Sequence, residues 1–453
     1  MILLYHDRII RVLIFTCILT VLLLGMRMIA RKKYKIKFFL IGEGIMAVTV
    51  MVLGVCGYFG KRVDVKNADT ITFSKAALQR DLNQLETVLF EQSPMYYADR
   101  ESLREMFVQA KQQIQENMTE EEFYRLINPL VVAVRCGHTN LSISKALQKN
   151  REQNAKFLPL KIQVEGNRLF DGQSNERILS INGIPSEEII NTLLSNISHD
   201  GDNLAGAYYI LNLYFPTKYY DFIEQPDEFV IQYQRKDGDI YFKVVDAEYN
   251  EEYNVDSWGL RMAQYAGEEY YSSAFSDDTA TLRIKVFMEG KQSFSKFLED
   301  FFAKVKELHL KKVVIDVRGN FGGDPRMAKE LLSYLITQPF DYFKNDLSFL
   351  EKLAGYDKPV IPKAEEVSFE SELLMDGACF STCGHFAAIY QAMGLGIVRG
   401  EKTGGGSICS DGSKDIVLYQ TGLRLHYATK VFAVNVNCKE TNVVCPDEAV
   451  LIE

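Results

Sequence analysis

The sequence is poor in histidine and tryptophan, and it has no excess of basic side chains. Six of its 453 residues are histidine and one is tryptophan, and the formal net charge at pH 7 is -9. Nucleic-acid-binding proteins present basic surfaces to a polyanion, so this charge argues against that class. Hydrophobic and charged contents of 47% and 25% are ordinary globular values, which exclude a disordered or collagen-like chain.

The eight cysteines lack the spacing of a metal site. No pair of C-x-x-C motifs occurs, so we expect no structural zinc, and no other metal or cofactor is predicted. Cys17 and Cys56 fall within apolar runs and resemble small core residues. The other six cysteines can pair in many ways, and spacing alone does not choose among them.

Charge is distributed unevenly along the chain. Residues 1–62 carry ten basic and two acidic side chains, which leaves about -17 for the remainder. Two apolar runs, 9–30 and 38–60, each reach the roughly 20 residues that span a bilayer. The basic loop 31–37 between them is expected in the cytoplasm, with everything after residue 60 outside. A cleaved signal peptide is the alternative, but no small-residue cleavage site precedes the second run.

The outer part divides into three predicted regions after the anchor at 1–62. Region 63–150 has helical periodicity, including a capping box that opens at Thr119. Region 151–260 alternates as short strands between turns and suggests a small β-rich module. Region 261–453 alternates strands with helices, which predicts an α/β layer fold.

One turn in the last region has the character of an anion site. The segment 316–323, with sequence DVRGNFGG, follows an apolar strand and precedes a predicted helix. A glycine pair there leaves backbone N–H groups uncovered, as an oxyanion hole requires. A phosphate-binding or merely tight turn is the alternative. It is not a Walker loop, because no Lys-Ser/Thr follows.

Ser381 and His138 are candidates for nucleophilic chemistry. Ser381 stands just before a predicted helix, where a serine is either an N-cap or a nucleophile facing the helix N-terminus. His138 lies in the turn CGHTNL, and a serine nucleophile needs a base of this kind. A structural histidine is the alternative, and His199, His309, His385 and His426 compete for the role.

Together the 316–323 turn, the Phe380-Ser381-Thr382 segment and the GEKTGGG turn at 400–406 resemble the tail-specific, or C-terminal processing, serine peptidase family. The resemblance covers about residues 72–453 and is strongest over 313–406. It implies a mixed α/β, ClpP/crotonase-like peptidase core with a helical N-terminal subdomain. The strand-rich middle resembles the PDZ-like module of these enzymes, although no clear carboxylate-binding loop is visible.

The resemblance also implies roles for individual residues. Processing peptidases proper use a Ser-Lys dyad, but Gly406 stands where that lysine would be. The tricorn-like branch uses a histidine in a Gly-His-Thr segment, which matches 137–139, and a glutamate before a terminal Pro-Asp. The implied catalytic residues are Ser381, His138 and Glu440, and the implied oxyanion-hole residues are Gly322, Gly323 and Thr382.

The predicted function is therefore a membrane-anchored serine endopeptidase on the extracytoplasmic side of the cell membrane. It would hydrolyse polypeptides through an acyl-enzyme, without nucleic acid as a partner. A catalytically inactive peptide- or ligand-binding protein on the same fold is the main alternative. A regulatory sensor is less favoured, since the short cytoplasmic loop offers no signalling domain. Substrate, cleavage preference and oligomeric state stay open.

Overall fold

A computed structural model describes residues 2–3, 62–63, 65–253, 269–344 and 347–449. The predicted membrane spans at 9–30 and 38–60 lie outside these residues. No helix within the described ranges is both long and apolar enough to cross a membrane. The chain divides into two compact units, one formed by 1–72 with 144–154 and the other by 73–143 with 155–453.

Ten α-helices lie in the described part of the chain. They are α1 (Lys75–Gln92), α2 (Arg100–Gln113), α3 (Glu120–Val132), α4 (Lys145–Asn154), α5 (Ser186–Leu194), α6 (Ala205–Phe222), α7 (Phe294–Glu307), α8 (Pro325–Ser333), α9 (Phe349–Leu353) and α10 (Thr382–Ala392).

The strands of the same residues are mostly short. They are β1 (Ile2–Leu3), β2 (Arg62–Val63), β3 (Thr72–Phe73), β4 (Met118–Thr119), β5 (Asn140–Ser142), β6 (Ile162–Glu165), β7 (Arg168–Asp171), β8 (Arg177–Ile181), β9 (Ile184–Pro185), β10 (Glu228–Gln234), β11 (Ile240–Asp246), β12 (Tyr271–Phe275), β13 (Thr279–Ile284), β14 (Lys312–Asp316), β15 (Glu370–Met375), β16 (Gly396–Gly400), β17 (Ile408–Asp411), β18 (Lys414–Val417), β19 (Arg424–Tyr427), β20 (Lys430–Ala433) and β21 (Glu448–Ala449).

The smaller unit contains β1, β2 and α4. The strands β1 and β2 pair in antiparallel fashion. The buried side chain of Asn150 on α4 donates to the carbonyls of Val65 and Lys66 at 3.0 and 3.2 Å. The Asn150 amide thereby gives hydrogen-bond partners to two backbone carbonyls within the smaller unit.

Helices α1 to α3 open the larger unit. Leu78, Leu82 and Leu85 recur along one face of α1 and are fully buried, as the periodicity predicts. The predicted capping box at Thr119 is confirmed, because its hydroxyl accepts from the Glu122 N–H and the Glu122 carboxylate accepts from the Thr119 N–H. Helix α3 then leads directly into the turn that holds His138.

The β-rich middle is one six-stranded sheet in the order β11-β10-β8-β7-β6, with β9 paired to β8. Its buried positions alternate along β6 and β10, which places one face against α5 and α6. The Asn212 side chain of α6 bonds the backbone N–H of Val164 at 2.7 Å. On the opposite face Ile240, Phe242 and Val244 of the edge strand β11 are exposed.

The α/β core is a second six-stranded sheet in the order β12-β13-β14-β15-β16-β21. Strands β13 to β16 are mutually parallel, and β12 pairs antiparallel at one edge. Val313 and Ile315 on β14 are fully buried, as expected for a strand covered on both faces. Parallel strands end at the same edge, so the chain after β14 and the chain after β15 emerge side by side.

The turn that contains His138 leads into β5, which belongs to a small three-stranded sheet in the order β18-β19-β5. Leu141 of β5 pairs with Leu425 of β19, and Asn140 pairs with His426. Strand β17, which precedes β18, pairs with β20. The turn after α3 is thereby joined to the last part of the chain.

Candidate active site

Ser381 stands at the start of α10, in the turn that follows β15. It occupies the N-cap position, but its hydroxyl makes no capping hydrogen bond. Its backbone has φ 54° and ψ -125°, a region that costs a residue with a side chain about 1–3 kcal/mol. An uncapped hydroxyl on a strained strand-to-helix turn is the geometry of a nucleophile rather than of an ordinary cap.

The glycine pair of the 316–323 turn packs directly against Ser381. A Cβ placed on Gly322 would lie 2.7 Å from the Phe380 carbonyl oxygen, 2.8 Å from the Ser381 Cβ and 2.9 Å from the Thr382 nitrogen. Gly322 and Gly323 both have positive φ, at 105° and 131°. Only glycine therefore allows this turn to approach the serine so closely.

The two glycines differ in what their N–H groups do. The Gly322 N–H donates to the Asn320 side-chain oxygen at 2.8 Å. The Gly323 N–H donates to no described acceptor, and that of Thr382 is at the first position of α10, where no partner exists within the helix. The Thr382 hydroxyl fixes the pair by donating to the Gly323 carbonyl at 2.6 Å. The N–H groups of Gly323 and Thr382 are thus the ones available to an oxyanion, and the lack of a side chain at Gly322 gives the clearance beside Ser381.

Asp376 ties these two turns together. Its carboxylate accepts from the N–H of Gly319 at 3.0 Å and from that of Ala378 at 3.0 Å, one on each turn. The side chain is buried, and burial raises its pKa to about 6 despite both hydrogen bonds. The nearby charges of Glu401 and Asp316 act in the same direction.

His138 is buried in the turn between α3 and β5, and its backbone is held from several directions. The Gly137 N–H donates to Asp200 at 2.7 Å, and the Ser198 hydroxyl donates to the Thr139 carbonyl at 2.7 Å. The imidazole lies on the ring of Phe380, with centroids 4.6 Å apart. Phe380 immediately precedes Ser381, so the His138 ring packs against the turn that contains Ser381.

The carboxylate beside His138 belongs to Asp411. Its Oδ2 lies 3.6 Å from the histidine Nε2. Burial opposes ionisation of this carboxyl, but the charge of His138 and hydrogen bonds from Ser413 outweigh it, so the pKa of Asp411 lies below its ordinary value. A carboxylate that stays ionised beside an imidazole stabilises its charged form.

Strand β17 joins this pair to the serine. Asp411 and Cys409 are two residues apart on β17 and so share a face of the strand. The Cys409 thiol lies within hydrogen-bonding reach of the Ser381 hydroxyl, and burial raises its pKa well above the ordinary value. One strand face thus contacts both the proposed base and the proposed nucleophile.

Glu440 has different surroundings. Its side chain is exposed and forms no hydrogen bond or ion pair with the residues that the structure describes. The prediction that it orients His138 therefore gains no support, and Asp411 occupies that position. No sequence signal distinguished Asp411, since an aspartate before Gly412 resembles an ordinary turn residue.

Two of the competing histidines, and the position of the dyad lysine, have surroundings that differ from those of His138. His385 is buried in the core, and burial lowers its pKa to about 4, with His138 acting in the same direction. His426 pairs with Asp415 at 2.8 Å near the surface. At Gly406, the position of the dyad lysine, a Cβ would lie 2.5 Å from the Thr441 carbonyl oxygen and 2.6 Å from the Val443 nitrogen. Lys402 is exposed.

Two of the outer cysteines form a disulfide at the nucleophile turn. Cys379 and Cys383 are bonded, whereas Cys136, Cys409, Cys438 and Cys445 are free. Spacing alone did not identify this pairing. In the described ranges no group of three histidine, cysteine or acidic side chains is arranged to hold a metal ion.

Residues 278–450 match the family model described as Peptidase family S41. The protein resembles this family over that range, which is less than half of the chain. It is accordingly a serine-type peptidase, and the matched range includes the glycine turn, Ser381 and Asp411. His138 lies outside that range, in the helical region before it.

The fold also matches solved structures. A CPAF mutant is 13% identical with a TM-score of 0.60, over 83% of this chain and 93% of that chain. Mature CPAF complexed with lactacystin is 13% identical with a TM-score of 0.59, over 83% and 94% of the two chains. At this identity the likeness shows the fold alone. No curated protein matches the sequence.

Proposed function

We propose that this S41 peptidase is a membrane-anchored endopeptidase that cleaves polypeptides outside the cytoplasmic membrane, with Ser381 as nucleophile and His138 as base. The observation that carries the proposal is the uncapped Ser381 hydroxyl on a strained turn beside two N–H donors. Use of a histidine base assigns the enzyme to the tricorn-like style of the family. The absence of room for a side chain at Gly406 supports that style.

Acyl transfer follows from these groups. The Ser381 Oγ attacks the scissile carbonyl carbon while His138 removes its proton, and the N–H groups of Gly323 and Thr382 receive the oxyanion. His138 then protonates the leaving amine as the acyl-enzyme forms. Water, deprotonated by His138, attacks the ester carbon, the bond to the Ser381 Oγ breaks, and His138 returns the proton to that oxygen as the second product leaves. Asp411 stabilises the imidazolium in both steps.

The membrane anchor rests on the apolar runs 9–30 and 38–60 and the basic loop 31–37. The positive-inside rule orients them so that the peptidase domain is extracytoplasmic. A disulfide between Cys379 and Cys383 supports the same side, because such bonds persist in oxidising compartments.

A serine-reactive fluorophosphonate tests nucleophile and base. We expect covalent labelling of wild type, none of Ser381→Ala, and a loss of about 10³-fold or more in labelling rate for His138→Ala. Ser195→Ala, at an exposed position just after α5, is the serine control and keeps labelling. Thermal melting of each variant checks the fold. Full labelling of a folded His138 variant would remove the histidine from the mechanism.

The same reagent in a membrane-impermeant form tests the location. Added to intact cells, it should label Ser381 as fully as it does in permeabilised cells. Labelling only after permeabilisation would contradict the extracytoplasmic assignment. Wild type that hydrolyses no peptide and resists the reagent would instead favour a binding protein on the same fold.

A further inference from the structure

The disulfide of the described residues encloses the proposed nucleophile. Cys379 and Cys383 lie two residues before and two after Ser381, with Cα atoms 5.1 Å apart. Both side chains are fully buried. The bond therefore links the end of the turn after β15 to the first turn of α10, across the strained residue.

The turn lacks the usual support for a helix start. An N-cap serine normally satisfies an N–H of the first helical turn with its hydroxyl, but Ser381 leaves that interaction unmade. The segment keeps backbone hydrogen bonds from the Cys379 N–H to the Asp376 carbonyl and from the Cys383 N–H to the Phe380 carbonyl, each at 3.0 Å. The second of these bonds already spans Ser381, and the disulfide adds a covalent link across the same residue, from Cys379 to Cys383.

We propose that the Cys379–Cys383 disulfide is a positioning element that holds Ser381 and the Thr382 N–H in their catalytic geometry, so that full activity requires the oxidised form. This proposal rests on the proposed role of Ser381. The cysteines act through the backbone and do not touch substrate. A peptidase built this way is weakly active when it folds in a reducing compartment and fully active when it folds after export.

The chemistry is a two-electron oxidation. The two thiol S–H bonds break and one S–S bond forms, while a disulfide-bearing oxidant accepts two electrons and two protons and becomes a dithiol. Because both sulfurs are buried, this exchange takes place before the core closes. Cys136 and Cys409 are buried too, but the Cys136 thiol donates to the Ser410 carbonyl at 3.7 Å, and both stay thiols.

The first test compares two double variants. In Cys379→Ala/Cys383→Ala we expect the fluorophosphonate labelling rate to fall about 10²-fold, the typical cost of a small displacement of a reacting group. The bond closes a short ring, so the melting temperature should fall by only a few degrees. Cys438→Ala/Cys445→Ala, which removes two free cysteines, should match wild type. A folded Cys379/Cys383 variant that labels at the wild-type rate overturns the proposal.

A second measurement uses the wild-type full chain and does not depend on the variant folding. Protein prepared with different fractions of the bond is alkylated, and the 379–383 linkage is quantified by peptide mass mapping. The labelled fraction at a fixed early time should rise in proportion to the linkage. Equal labelling of reduced and oxidised protein, or two alkylated thiols in fully active protein, overturns the proposal. No labelling of any wild-type sample would refute the role of Ser381 instead.

Discussion

The nucleophile side and the base side of this site are constructed differently. The nucleophile side consists of two short segments, 316–323 and 376–383, that leave neighbouring parallel strands at one sheet edge. The proposed base side is assembled from the adjacent residues Gly137 and His138 and from Asp411, which is far from them in the chain. Backbone geometry fixes the first, and individual side-chain contacts fix the second. Single side-chain changes should therefore disturb the base side most.

The largest effect is expected from Asp411→Asn. It keeps the shape of the side chain but removes the charge beside His138, so kcat/KM should fall about 10³-fold with little change in melting temperature. Asp415→Asn is the matched control, since Asp415 pairs with the more exposed His426. Peptide hydrolysis near the wild-type rate in the Asp411 variant would mean that the base needs no carboxylate there.

Asp376→Asn tests the nucleophile side through stability rather than rate. Burial raises the pKa of Asp376 from 3.8 to about 6, so the folded state favours the protonated carboxyl. Ionisation then costs folding free energy, and this contribution lowers the free energy of unfolding by about 3 kcal/mol as pH rises from 4 to above 6. An asparagine side chain at this position cannot ionise, so the variant escapes that loss.

Urea unfolding at several pH values measures this pH-dependent loss of unfolding free energy. Relative to wild type, the Asp376 variant should gain stability steadily from pH 4 to 7, while the exposed Asp237→Asn should show a constant difference. A flat difference for both would show that the two backbone N–H groups fully compensate the buried charge.

Gly137→Ala tests how closely the base side is fitted. A Cβ there would lie 2.5 Å from the Phe380 ring, which itself contacts His138. We expect a loss of about 10²-fold in kcat/KM through displacement of the imidazole. Gly166→Ala is the control away from the site: a Cβ there meets nothing within 4 Å, and the φ of 57° strains the alanine, so this variant reports the effect of backbone strain alone. Equal activities would mean that Phe380 moves aside freely.

The smallest effect is expected from Glu440→Gln. An exposed side chain without a described partner should change kcat/KM by no more than about twofold. Steady-state hydrolysis alongside the Asp411 variant measures both carboxylates in one series. A loss at Glu440 as large as that at Asp411 would restore it as the partner of the base.

The features that could be predicted from the sequence lie mostly on the nucleophile side of the site, and those that could not lie mostly on the base side. Strand β14 and the Gly322–Gly323 turn were predicted because a buried strand and a glycine turn are local patterns. Helix α10 begins at Thr382, directly after Ser381, as predicted. Asp411 and the cysteine pairing depend on contacts across the fold, which no local pattern specifies.

The crowding around Gly406 has a consequence for the history of the active site. The two catalytic styles of this family differ by which residue supplies the base, and a change of style would need a lysine in place of this glycine. Here the first side-chain atom of any such lysine would collide with the backbone of 441–443. A switch to lysine chemistry would require that segment to move first. The packing of this backbone segment, rather than the choice of one side chain, thus determines whether position 406 can accept a lysine.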